Sequence, residues 1–154
     1  MRRKRGDKGY DAGKKVKGRK RHLLVDTIGM VLVVVVHSAG LQDDAKGAAG
    51  LVFWRAWVHA VSKRLKLIWA DGMYEGSAAL WARALGDWTL EVVRRVPGVK
   101  GFAPLPRRWV VERTFAWLGR YRRLSKDYET LTVNSETMVY LAMINLMLHR
   151  LEPG

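Results

Sequence analysis

The chain has 154 residues, the length of one ordinary domain, and 49% of it is apolar with seven Trp, enough to bury a core and to argue against disorder. The formal charge of +14 and a pI near 10.5 point to an anionic partner, nucleic acid first and an anionic membrane surface second. The absence of cysteine excludes disulfides, thiolate zinc sites and cysteine nucleophiles, and it fits a reducing cytosol.

Residues 1–21 hold 11 of the 28 Lys and Arg and only two acids, Asp7 and Asp11, with Gly6, Gly9, Gly13 and Gly18 interrupting any helix. This pattern predicts a flexible basic arm over 1–21, leaving 22–154 as the folded domain. His22–Val25, the turn-type stretch Asp26-Thr-Ile-Gly29 and the β-branched run Met30–Val36 predict a β-hairpin with a buried second strand. The apolar run over 28–36 is far short of the roughly 20 residues that span a bilayer, and no apolar segment directly follows the basic N-terminus as in a signal peptide. Leu51, Val52, Trp54, Val58 and Val61 recur at helical spacing and predict a helix over 43–64. A strand over 65–70 ends at Asp71-Gly72. A helix over 75–85, a strand over 90–93 and a turn at Pro97-Gly98 follow.

Pro104 and Pro106 precede a helix predicted over 107–124, with Val110, Trp117, Tyr121 and Leu124 on one apolar stripe. A last helix is expected from Asn134-Ser135, both good N-caps, to about residue 150. It is apolar on most sides and so expected to be well buried. The Trp residues mostly fit core positions, so stacking on single-stranded bases is not indicated. No internal repeat, low-complexity tract or linker interrupts the chain. The alternation of strands and helices indicates a mixed α/β domain.

Two acids stand out by position. Asp71 ends an apolar strand, so its side chain is expected at the C-terminal edge where open sheets place ligands; the plainer reading is a turn Asp bonded to its own backbone. Glu112 is the only acid between Glu91 and Asp127 and stands among Arg107, Arg108, Arg113, Arg120, Arg122 and Arg123. On a helix Arg108 lies one turn before it, with Ala116, Gly119 and Arg120 continuing that face. The plainer reading is a solvated helix whose Glu relieves arginine repulsion. Lys14, Lys15, Lys17, Arg19, Lys20 and Arg21, the six arginines of 107–123 and the first five basic residues make 17 of the 28 cations. Arginine forks suit phosphate oxygens, so these clusters favour DNA or RNA over a merely solvated face. His37 follows the second strand and is read as structural.

Gly9-Tyr-Asp-Ala-Gly-Lys-Lys-Val-Lys-Gly-Arg-Lys-Arg-His-Leu-Leu-Val-Asp-Thr27 resembles the opening of the catalytic domain of bacterial insertion-sequence DDE transposases. Trp69-Ala-Asp-Gly-Met-Tyr74 is similar to that family's second acidic box, and the stretch from Pro106 to Glu129 to its third. The similarity covers nearly the whole chain. It implies a ribonuclease-H-like mixed sheet flanked by helices, and Asp71 and Glu112 as the second and third catalytic, metal-binding carboxylates. It implies a two-Mg²⁺ site for strand cleavage and strand transfer on DNA, meaning transposon ends and target. The family's Tyr…Arg…Glu…Lys signature is matched at Arg108 and Glu112; Leu105 stands in place of the Tyr and Gly119 in place of the Lys, with Arg120 adjacent. The phosphate contacts expected on this basis are Lys14, Lys15, Lys17, Arg19, Lys20, Arg21, Arg107, Arg108, Arg113, Arg120 and Arg123.

The family's first Asp lies on a first strand upstream of the Gly9 motif. Asp7, Asp11 and Asp26 do not match its box. The expectation is therefore a domain missing its first strand and first carboxylate, a truncated or split form whose partner is an upstream polypeptide carrying that Asp. A homo-oligomer, no membrane association, and a cytoplasmic, nucleoid-associated location accompany that reading. The alternatives are a non-catalytic DNA-binding remnant that interferes with the full-length enzyme, and a basic RNA-binding protein, which accounts for the charge but not for the two acidic boxes.

Overall fold

The computed structural model describes residues 8–11, 15–40, 44–59, 63–94 and 107–152. Its elements in chain order are β1 (Gly9–Asp11), β2 (Val16–Val25), β3 (Val31–Ser38), α1 (Asp44–Val58), β4 (Leu67–Ala70), a 3₁₀ turn (Gly72–Tyr74), α2 (Ser77–Gly86), β5 (Thr89–Val92), α3 (Arg108–Gly119) and α4 (Thr132–Leu151). The mixed α/β arrangement is compatible with a ribonuclease-H-like domain. The predicted turn at Pro97-Gly98 and the prolines at 104 and 106 lie outside the described residues.

The strands form two separate sheets. β1, β2 and β3 make an antiparallel sheet in that order, and β4 and β5 make a parallel pair. The predicted hairpin is present, but its first strand begins at Val16 rather than near His22, pairing Arg19 with Ser38 and Leu23 with Val34. Residues 16–21 are therefore sheet, not arm. Cross-strand pairing with β3 holds this basic, glycine-containing stretch extended. The turn closes where Asp26 Oδ1 accepts from the amides of Ile28 at 3.0 Å and Met30 at 2.8 Å. Gly29 adopts φ +88°, which a residue without Cβ takes at little cost.

β3 carries the core. Val33 and Val35 pack with Ala49, Val52, Phe53 and Ala56 of α1, which recur at three- and four-residue spacing, and with Ile68 and Trp88. Val34 and Val36 point the opposite way, onto Leu118, Leu124, Val139, Ala142 and Met143. A strand buried on both faces reads as a continuous apolar run, which is why 31–36 is so uniformly β-branched. The outer edge of β3 is sealed by side chains. Glu136 Oε1 accepts from the Val36 amide at 2.9 Å, the Tyr140 hydroxyl accepts from the Val34 amide at 3.1 Å, and Arg55 donates to the Val34 carbonyl at 2.8 Å.

Two expectations about helices are corrected. α4 begins at Thr132, with Leu131 at its cap position and no side-chain cap bond. Ser135 instead turns inward to Asp127 at 2.8 Å. One face of α4 is buried, but Leu141, Ile144, Leu148 and Leu151 are exposed, so the helix is not enclosed on most sides. The tryptophans also depart from the core reading: Trp88 is 2% exposed, while Trp54, Trp57, Trp81 and Trp109 are each about half exposed. Helical periodicity placed them near the apolar stripe but could not tell its border from its centre.

Candidate nucleic-acid interface and carboxylate pair

Between the two sheets lies a cavity of about 1040 Å³. Its walls include β2 from Gly18 to Leu24, β4 from Ile68 to Ala70, and Val111, Glu112 and Phe115 of α3. Asp71 and Glu112, far apart in sequence, both line it. Asp71 arrives there because β4 stops at Ala70 and the chain turns. Its Oδ1 accepts from the Met73 amide at 3.0 Å, capping the 3₁₀ turn. The plainer reading of Asp71 as a turn residue is thus realised, and it coexists with a place at the cavity. Glu112 is exposed on α3 and makes contacts of its own. Among the described residues no group of three or more His, Asp or Glu side chains could hold a metal ion.

Beside Asp71 stands a hydrogen-bonded row absent from the sequence-based expectations. The Tyr74 hydroxyl lies 2.6 Å from His22 Nδ1, His22 Nε2 lies 2.7 Å from His37 Nε2, and His37 Nδ1 lies 2.9 Å from the Ser38 carbonyl. That carbonyl can only accept, so a neutral row runs one way: His37 donates to Ser38, His22 to His37, and Tyr74 to His22. Burial first, and the Asp71 charge second, push the Tyr74 phenol up to about 12. The clue in sequence was weak: His22 and His37 oppose Val35 and Lys20 across the hairpin, and only the register makes them neighbours.

The cations divide into exposed and engaged groups. The side chain of Arg19 is 1% exposed and bonds Asp127 at 3.2 Å, the Thr130 carbonyl at 2.6 Å and Ser135 at 3.2 Å. Arg113 donates to the Ile28 carbonyl at 2.8 Å and lies over the rings of Trp109 and Trp117. Arg21 reaches the Leu124 carbonyl at 3.3 Å. Arg123 is held by Glu129 at 2.7 Å, and that bond raises its already high pKa. Arg107 is exposed, lines the cavity and stacks on Trp69 at 3.9 Å. Lys15, Lys17 and Arg120 are exposed, while Lys20 is half-buried with contacts of its own. Lys14, Leu105 and the side chain of Arg108 lie outside the described residues.

A sequence model of the family described as Transposase DDE domain matches residues 1–147. The chain belongs to the DDE transposase family. A Burkholderia cepacia protein named as a transposase for insertion sequence element IS402 is 32% identical to it over 127 residues, which is 73% of this chain and 54% of the relative. This DDE transposase chain therefore spans about half the length of that relative. No solved structure matches it significantly. No helix among the described residues is long and apolar enough to cross a membrane.

Proposed function

We propose that this chain is the DNA-cutting and strand-joining domain of an insertion-sequence transposase, with Asp71 and Glu112 as two of its metal-binding carboxylates. The observation that carries this reading is the convergence of both acids on one cavity bordered by Lys17, Arg107 and Lys126. Exposed Lys15, Lys17, Arg107 and Arg120 are the phosphate contacts that the geometry favours, and cations of this kind anchor a DNA backbone without reading its sequence. Arg19 and Arg113 support the fold around them.

Hard divalent ions take carboxylate oxygens, so the donor type suits Mg²⁺. When bound, such ions position the attacking oxygen and neutralise charge at the scissile phosphate. Asp71 and Glu112 are two such carboxylates on the cavity wall, and no cluster of three His, Asp or Glu that could hold a metal ion occurs among the described residues. A second reading is a DNA-binding form that cannot cut, which the exposed cations beside the cavity would serve equally well.

Cleavage of DNA bearing the element's ends in Mg²⁺ tests the proposal. Asp71→Asn and Glu112→Gln should each abolish cutting, while DNA affinity holds or rises as a negative charge is removed. Full cutting by either variant would overturn the assignment. Binding by the wild-type protein without any cutting would establish the second reading.

A further inference from the structure

The arginines of this chain differ in how their guanidinium groups are held. Arg19, Arg21, Arg55, Arg94, Arg113 and Arg123 each direct an N–H at a carbonyl or carboxylate oxygen. Arg107 is held by its face instead. Its Cζ lies 3.9 Å from the centroid of the Trp69 ring, and its N–H groups make no hydrogen bond or ion pair among the described residues. A cation over an aromatic ring is attracted by the ring quadrupole, and this contact leaves the in-plane donors of the guanidinium uncommitted. Those donors form a planar fork that fits two oxygens of a phosphate. Arg150 rests likewise over Trp117 at 4.5 Å, but away from the cavity walls.

The Arg107 stack is built at the carboxylate pair. Trp69 stands on β4 just before Asp71, and Arg107 is the cap residue of α3, which carries Glu112. All four residues line the same cavity. Trp69 is itself fixed. It is half-buried, and its indole N–H donates at 2.8 Å to Oε2 of Glu91, the residue opposite it on β5. That carboxylate places negative charge at the rim of the ring and strengthens its attraction for a cation. A flexible arginine loses rotamer freedom when it grips a phosphate, whereas one already stacked has lost much of it beforehand.

We propose that Trp69, oriented by Glu91, is a positioning residue that presents the Arg107 fork to one backbone phosphate of DNA beside the carboxylate pair. The proposal rests on the reading of this cavity as a DNA site. It adds that Trp69 raises DNA affinity without touching DNA, and that lysine cannot replace Arg107. Lysine keeps the charge but is a compact ammonium on a flexible stem, with no plane to stack and no fork.

Fluorescence anisotropy of a labelled DNA duplex, titrated with the full chain at fixed salt, tests this. Trp69→Leu should weaken binding about three- to fivefold, the scale of an exposed cation–π contact. Trp69→Phe keeps a ring and should lose less. Arg107→Lys should lose about as much as Trp69→Leu while keeping the wild-type salt slope, because the charge is retained. In an Arg107→Ala background, Trp69→Leu should cost nothing further, since the two side chains act as one unit. The proposal is overturned if Trp69→Leu or Arg107→Lys binds as tightly as the wild type. It is also overturned if Trp69→Leu weakens binding equally with and without Arg107, because Trp69 then stacks on a base directly. Thermal melts of each variant separate a folding defect from a binding defect; if Trp69→Leu does not fold, Trp69→Phe and Arg107→Lys decide. The underlying reading fails differently. A wild-type chain that binds no DNA would take the DNA site and the stack together. Binding that responds as expected, with Asp71→Asn cutting like the wild type, would remove the carboxylate assignment and leave the stack standing.

Discussion

Tyr74 shows how one side chain can tie the candidate site to the sheet. Its hydroxyl is bonded to buried His22, and its backbone amide to the Asp71 carbonyl at 3.1 Å. Tyr74→Phe leaves His22 Nδ1 without that donor, and an unsatisfied buried group costs about 1–3 kcal/mol. Urea denaturation at neutral pH should show a loss of that size. The pH dependence follows from the raised phenol. Its native pKa of about 12 exceeds the ordinary value of 10.0, so the native state favours the protonated form. That contribution is fully present below pH 10 and is lost as pH rises toward 12. Its size is about 2–3 kcal/mol at 1.36 kcal/mol per unit. Denaturation at pH 9 and pH 11.5 should show this decline in the wild type and a shallower one in Tyr74→Phe. Gly29 is a second single-residue constraint. A Cβ there would stand 2.9 Å from Thr114 Oγ1, at a positive φ that costs an L-residue about 1–2 kcal/mol. Gly29→Ala should lower the melting temperature measured by circular dichroism.

The contact of β3 with α1 and α4 depends on a charged clasp. Arg55 and Glu136 meet at 2.8 Å, with side chains 25% and 10% exposed, and both also bond the β3 backbone. Glu136→Ala strips the Val36 amide of its acceptor and leaves Arg55 facing the interior. Removing one partner of a buried pair costs about 3–5 kcal/mol, and partial exposure of Arg55 places the expected loss near the lower end. Glu136→Gln retains an acceptor for the amide and should lose less; urea midpoints of the two variants measure the difference. The clasp was not legible in sequence, because Arg55 and Glu136 look like surface residues of amphipathic helices until a strand edge is placed between them. The helices and strands themselves were legible, since periods of 2 and 3.6 follow from backbone geometry. Their ends were less so: β2 gains Val16–Arg21 because cross-strand pairing holds a basic, glycine-containing stretch extended, overriding its weak local preference.

Across the molecule, the cations separate into those that face solvent and those that hold elements together. The charge of +14 did not distinguish them. Each phosphate contact contributes a slope of about −0.9 to log affinity against log salt. Arg120→Ala should therefore reduce the DNA-binding salt slope by about one and leave the melting temperature unchanged. Arg19→Ala should do the reverse, since that guanidinium joins β2 to the loop before α4. Fluorescence anisotropy over a salt series, paired with thermal melts, tests both. A salt slope unaffected by Arg120→Ala would remove that residue from the interface.

The sequence by itself determined the α/β class, most element positions, the family and the two acids worth naming. These rest on local periodicity and on motif spacing, both of which survive in one dimension. Tertiary structure alone decided that Asp71 and Glu112 line one cavity, that Arg19 and Arg113 are engaged within the fold, and that His22 and His37 meet Tyr74. Those outcomes depend on contacts between residues far apart in the chain, and no local pattern encodes them.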